Sequence, residues 1–129
     1  MTQTETMDVA EYRKIAGKNK YGNKKVIVDG HTFDSIAEAR RYEQLSLMQK
    51  AGAISDLRLQ PRYELQKAFK DFEGKMQRAI VYVADFAYAE GGLRVVEDVK
   101  GSITKEYAIK KKLFLYRYFD LTFREIKAK

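Results

Sequence analysis

Asp85, Asp98 and Lys100 are the residues of this chain best suited to chemistry. They stand in two apolar stretches, 81–88 and 95–101, joined through Glu90-Gly91-Gly92-Leu93. Both stretches read as strands, with Gly-Gly as the turn between them. If Gly91 and Gly92 are the loop, Glu90 opposes Leu93, and counting outward sets Asp85 directly across from Asp98. A symmetric four-residue loop gives the same register. Like charges that face each other destabilise a sheet, so the pair calls for something positive between them. A divalent cation is the natural candidate, because hard cations take carboxylate oxygens. Lys100 lies two residues past Asp98 and so shares its face. This is the layout of a metal-dependent site for phosphodiester cleavage.

The strand alternation sharpens the case. Ile80, Tyr82, Ala84 and Phe86 should share one face, and Val81, Val83, Asp85 and Ala87 the other. Asp85 then interrupts an apolar face, and Val96 gives Asp98 an apolar neighbour as well. The structural alternatives are an exposed acid on a solvated sheet, or an Asp98–Lys100 or Asp85–Lys100 ion pair. Glu97 points to the opposite face and ranks below Asp98 as a ligand. Glu38 follows Ser35 by three residues at the start of a helix. It is either half of a capping box or a third carboxylate at the edge of the site, and both readings stay open. Glu43, further along the same helix, is a weaker alternative.

These residues must be positioned by a small domain. The chain has 129 residues, 45% of them hydrophobic, which suffices for one core. Residues 1–24 are expected to form a flexible basic segment, with a short helix near 8–16, and residues 25–129 a single domain. Lys25–Val28 and His31–Phe33 flank Asp29-Gly30, a hairpin signal. A helix should start at Asp34 or Ser35 and end near Ala51-Gly52. An extended connection from Ile54 to Leu59 is closed by Pro61, the only proline. Strands are expected over 62–69, 77–89 and 93–100, then a helix over 105–119 capped by Thr104, then a strand over 121–126. The class is α/β in the broad sense (α+β): a small N-terminal β-hairpin, then helix, three strands, helix, strand.

The formal net charge is +7, and the pI is about 9.5, which favours a polyanionic partner. The excess sits at the ends. Residues 100–129 carry nine Lys/Arg against three acids, and residues 10–25 six against one. Lys105, Lys110, Lys111 and Lys112 on the second helix, with Tyr107 one turn from Lys111, suit phosphate contacts; Lys20 and Lys24 extend the basic surface. A solvated helix face explains any single lysine equally well. There is no cysteine, hence no disulfide and no thiolate site, and His31 is the only histidine, so zinc is not expected. No apolar run approaches the ~20 residues of a membrane span. The N-terminus lacks a signal-peptide pattern, so the cytoplasm is the expected location.

Phe33-Asp34-Ser35-x-x-Glu38-Ala39, Ile54-x-x-Leu57-x-x-Gln60-Pro61, Tyr82-x-Ala84-Asp85-Phe86 and Asp98-Val99-Lys100-Gly101 together resemble the PD-(D/E)XK nuclease superfamily. The likeness is strongest to small phage and prophage members and covers roughly residues 20–127. The proline that gives the motif its name is replaced by Ala84. The resemblance implies a restriction-endonuclease-like αβββαβ core, a central mixed sheet flanked by helices. It implies that Asp85 and Asp98 hold Mg²⁺ or Mn²⁺, helped by Glu38 and the Val99 backbone carbonyl, and that Lys100 orients or activates the attacking water. The activity implied is DNA endonuclease, on branched or recombination-intermediate DNA as in Holliday-junction resolvases. A homodimer is expected, since two cuts on opposed strands need two sites related by a two-fold axis. The phage context implies the cytoplasm of a bacterial host. The alternative is a non-catalytic DNA-binding or assembly protein that keeps the fold.

Overall fold

The computed structural model describes Thr6–Met7 and residues 25–128. The expected flexible basic segment lies outside these residues, as do Lys20, Lys24 and the short helix near 8–16. The exception is Thr6–Met7, which forms a two-residue strand, β1, parallel to Lys25–Val28 (β2). β2 turns at Asp29-Gly30 into β3, His31–Phe33. Both turn residues have positive φ, +52° and +79°, the backbone that Asp-Gly tolerates and a two-residue hairpin needs.

Helix α1 spans Ile36–Lys50. Its N-cap is Ser35, whose Oγ accepts from the Glu38 amide at 3.1 Å. Gly52, at φ +81°, lies in the left-handed region just past its end. Ser55–Leu59, expected only as a connection, is a strand, β4. It forms one edge of the central sheet, whose order is β11-β10-β9-β4. Here β9 is Phe86–Glu90, β10 is Leu93–Lys100 and β11 is Thr122–Lys127. β10 runs antiparallel to β9 and parallel to β11, and β9 is antiparallel to β4. The sheet is mixed. Helix α2, Lys105–Arg117, makes the crossover that a parallel β10–β11 pair requires.

The expected long strand over 77–89 is broken. Its first half is β8, Ile80–Val83, which pairs with β5, Arg62–Gln66. Its second half is β9. Between them Ala84 and Asp85 bend, opposite Gln60 and Pro61. The ladder nevertheless continues through the bend: Ala84 N donates to Pro61 O at 3.1 Å, and Gln60 N donates to Asp85 O at 2.9 Å. Pro61 cannot donate and Gln60 has φ +50°, so the ladder turns here. A small hairpin, β6 (Phe69–Lys70) with β7 (Met76–Gln77), extends beyond β5 and β8.

The bend changes which residues share a face. Phe86, Tyr88, Val95 and Val99 pack with Ile36, Ala39, Tyr42 and Leu45 of α1. Tyr82, Ala84 and Val96 pack with Tyr107 and Phe114 of α2. One helix thus covers each face of the sheet. Uniform alternation put Tyr82 and Ala84 with Phe86 and opposite Asp85; the kink reverses that parity and brings Tyr82 to the Asp98 side.

Candidate functional site

β9 and β10 pair Glu90 with Leu93 through to Phe86 with Glu97, the register counted from the Gly91-Gly92 turn. One step beyond, the Asp85 amide donates to Glu97 O at 3.1 Å. Asp85 therefore arrives beside Asp98 although it lies in the bend. Its Oδ2 accepts from the Val99 amide at 2.6 Å. The two carboxylates lie close enough for each to bear on the other's charge, and the Glu38 charge is felt at both Asp85 and Asp98. Burial, then the charges of Glu38 and Asp98, push the Asp85 carboxyl up from 3.8 to about 8, against the pull of the Val99 amide. Glu38 is raised too, mainly by burial and by Asp34, while the Ser35 hydroxyl and Lys100 act in the other direction. Like charges crowded in a shielded site disfavour full ionisation.

Asp98 is 1% exposed. Its Oδ2 accepts a short hydrogen bond from the Tyr82 hydroxyl. Its Oδ1 has the Lys100 ammonium 3.1 Å away, yet the approach falls outside hydrogen-bond geometry and this buried oxygen has no donor. Lys100 also lies over the Tyr107 ring, 4.3 Å from its centroid. The Tyr107 hydroxyl donates to Glu125 Oε2 at 2.6 Å, and Lys111 Nζ donates to the same oxygen at 3.1 Å. Glu125 is the β11 residue registered with Asp98. Tyr82 and Tyr107 are both shifted up, first by burial and then by their carboxylate acceptors, so both remain hydroxyl donors.

Glu97, on the opposite face, has a different part. It is fully buried and held by Arg41 in a two-pronged contact, Nε to Oε1 at 2.8 Å and Nη2 to Oε2 at 2.6 Å. Tyr88 adds a short hydrogen bond to Oε2, and Arg124 ties Tyr88 to Glu90. With its oxygens occupied, Glu97 clamps α1 to the sheet.

Among the described residues, no group of three or more His, Asp or Glu side chains is arranged to hold a metal ion as it stands. The donors present nonetheless suit a hard divalent cation. Two carboxylates converge, a third acid lies near enough for its charge to act on both, and one buried oxygen lacks a donor. The basic residues expected on α2 are dispersed. Lys110 pairs with Glu106 at 3.2 Å and Lys111 with Glu125 at 3.1 Å, while Lys105 and Lys112 are exposed. Tyr107 is 7% exposed. Expected among the phosphate contacts, Tyr107 is instead turned inward to the sheet by α2, where its ring forms a wall beneath Lys100.

Residues 18–129 match the family DUF1064, described as proteins of unknown function. The chain belongs to this family. No curated protein matches it. In this DUF1064 chain, sequence reasoning did not single out Tyr82 and Glu125 for the site. Pro61 was the available signal for Tyr82, since a ladder containing a proline tends to break. Nothing local marks Glu125, which reaches the site through the parallel β10–β11 pairing.

Proposed function

We propose that this protein is a Mg²⁺- or Mn²⁺-dependent DNA endonuclease with a restriction-endonuclease-like core. The observation that carries the reading is the convergence of Asp85 and Asp98, with a donorless Asp98 oxygen and Lys100 beside it. Asp85, Asp98 and Glu38 would hold the cation, with the Val99 backbone alongside. A divalent cation bound there lowers the pKa of its water and stabilises charge developing on phosphoryl oxygens. Tyr82 orients the Asp98 carboxylate, and the Val99 amide orients Asp85. Lys100 is partly exposed, its side chain 30% accessible. It can therefore reach an incoming phosphate and hold the attacking water. Lys100 stands 3.1 Å from the Asp98 oxygen that would help hold the cation, so its ammonium and the cation would act on the same phosphate. Branched DNA as substrate and a homodimer as the working form belong to the same proposal.

A second reading has its own support. Lys100 already neutralises Asp98, and each acid has a protein donor. A non-catalytic nucleic-acid-binding protein of this fold would need no more. The test incubates the protein with labelled four-way junction, linear duplex and flap DNA in Mg²⁺, Mn²⁺ or EDTA. Cleavage that disappears in EDTA and in Asp98→Ala and Lys100→Ala supports the enzyme. Binding without cutting in every metal leaves the second reading.

A further inference from the structure

A groove on the acid-bearing face of the sheet lies beside the site but does not include it. In an antiparallel pair, opposed residues share a face. Arg58 opposes Ala87, Ala87 opposes Val96, and Arg94 opposes Ala89. By alternation along β10, Arg94 and Val96 lie on the same side as Asp98. Arg58, Arg62 and Arg94 line a cavity of about 350 Å³ whose wall includes Pro61 and Tyr63. Its charge is largely uncompensated. Arg58 is held by Asp56 at 3.1 Å, but Arg62 and Arg94 are exposed and form no ion pair among the described residues. Arg58 and Arg94 both lie near enough for their charges to act on the Tyr63 hydroxyl in the groove wall.

The groove ends close to the acid cluster, with Val96 of its lining two residues before Asp98 on β10. Pro61, in its wall, accepts from the Ala84 amide, one residue before Asp85. Arg94 is four residues from Asp98 on one strand, about 13 Å at the usual strand rise.

We propose that this groove seats the sugar-phosphate backbone of the nucleic acid acted on at Asp85 and Asp98, with Arg62 and Arg94 as the phosphate-binding side chains. The proposal rests on reading the acid cluster as a nuclease site. It moves the main phosphate track from the α2 lysines to the sheet face. Arginine suits the role because its planar fork matches two phosphate oxygens at once. Arg62 also lines a second groove, where Lys110 is held by Glu106, so Arg62 is the unpaired cation common to both.

The test measures binding of the full chain to a labelled four-way junction and to a labelled duplex by fluorescence anisotropy, in Ca²⁺ and in EDTA, across a salt series. Each phosphate contact contributes about 0.9 to the slope of log affinity against log salt. The Arg62→Ala/Arg94→Ala double variant is expected to lose about 2 from that slope. Arg62→Lys/Arg94→Lys should recover most of it. Circular dichroism and thermal melting check that both variants are folded. A folded alanine double variant with wild-type slope and affinity overturns the groove, even if the wild type cuts DNA. A lost slope in a protein that cuts nothing in Mg²⁺ or Mn²⁺ upholds the groove as a binding track and overturns the nuclease reading alone. A wild type that binds neither junction nor duplex overturns both.

Discussion

Replacing Asp85 by Asn should make the metal-free protein more stable at neutral pH, by an amount that grows with pH. Asp85 has its carboxyl raised from 3.8 to about 8 by burial and by the charges of Glu38 and Asp98. Its contribution to stability is therefore complete below the unfolded value and is lost as pH rises through the folded one. Between those limits the native state holds about one more proton than the unfolded chain. Stability then falls by about 1.4 kcal/mol per pH unit from this group. From about pH 5 to about pH 7 the difference between wild type and Asp85→Asn should change by roughly 2.7 kcal/mol. For a domain of this size that is on the order of 10 °C in Tm. Asparagine keeps an oxygen for the Val99 amide, so the variant removes the charge and not the hydrogen bond. The assay is denaturant unfolding in EDTA at several pH values for both proteins. Taking the difference cancels the titration of distant groups. Saturating Mg²⁺ should shrink the difference, because the cation takes the place of the proton. Parallel stability–pH curves for wild type and variant would refute the reasoning.

Arg41→Ala should cost about 3–5 kcal/mol in chemical denaturation, because it leaves Glu97 charged and unpaired in the core. Tyr82→Phe removes the donor to Asp98 Oδ2 and should destabilise by about 1–3 kcal/mol, while far-ultraviolet circular dichroism stays unchanged. Two substitutions separate the roles at the start of α1. Ser35→Ala should cost about 1 kcal/mol through the lost cap and change metal affinity, read by calorimetry, less than removal of the Glu38 charge does. Glu38→Gln should weaken Mg²⁺ binding severalfold; equal calorimetric affinities for Glu38→Gln and wild type would reduce Glu38 to a helix residue.

The sequence carried the local features of this protein. Gly91-Gly92 set the β9–β10 register because a two-residue loop leaves one pairing, and Asp98 and Lys100 shared a face because strands alternate. Asp29-Gly30, Ser35 and Thr104 marked a turn and two caps because each signal acts within a few residues. Tertiary pairing decided what alternation could not. Ser55–Leu59 became a strand only because β9 offered it a ladder. The Gln60-Pro61 bend across from Ala84-Asp85 needed two distant segments to meet, and it turned Tyr82 onto Asp98. The crossover through α2 brought Glu125 level with Asp98 and put Tyr107 beneath Lys100. It also left Arg62 and Arg94 facing an open groove. Charges that look alike in the sequence divide by the partners the fold gives them: Glu97 meets Arg41 and is structural, whereas Asp98 keeps an oxygen with no donor.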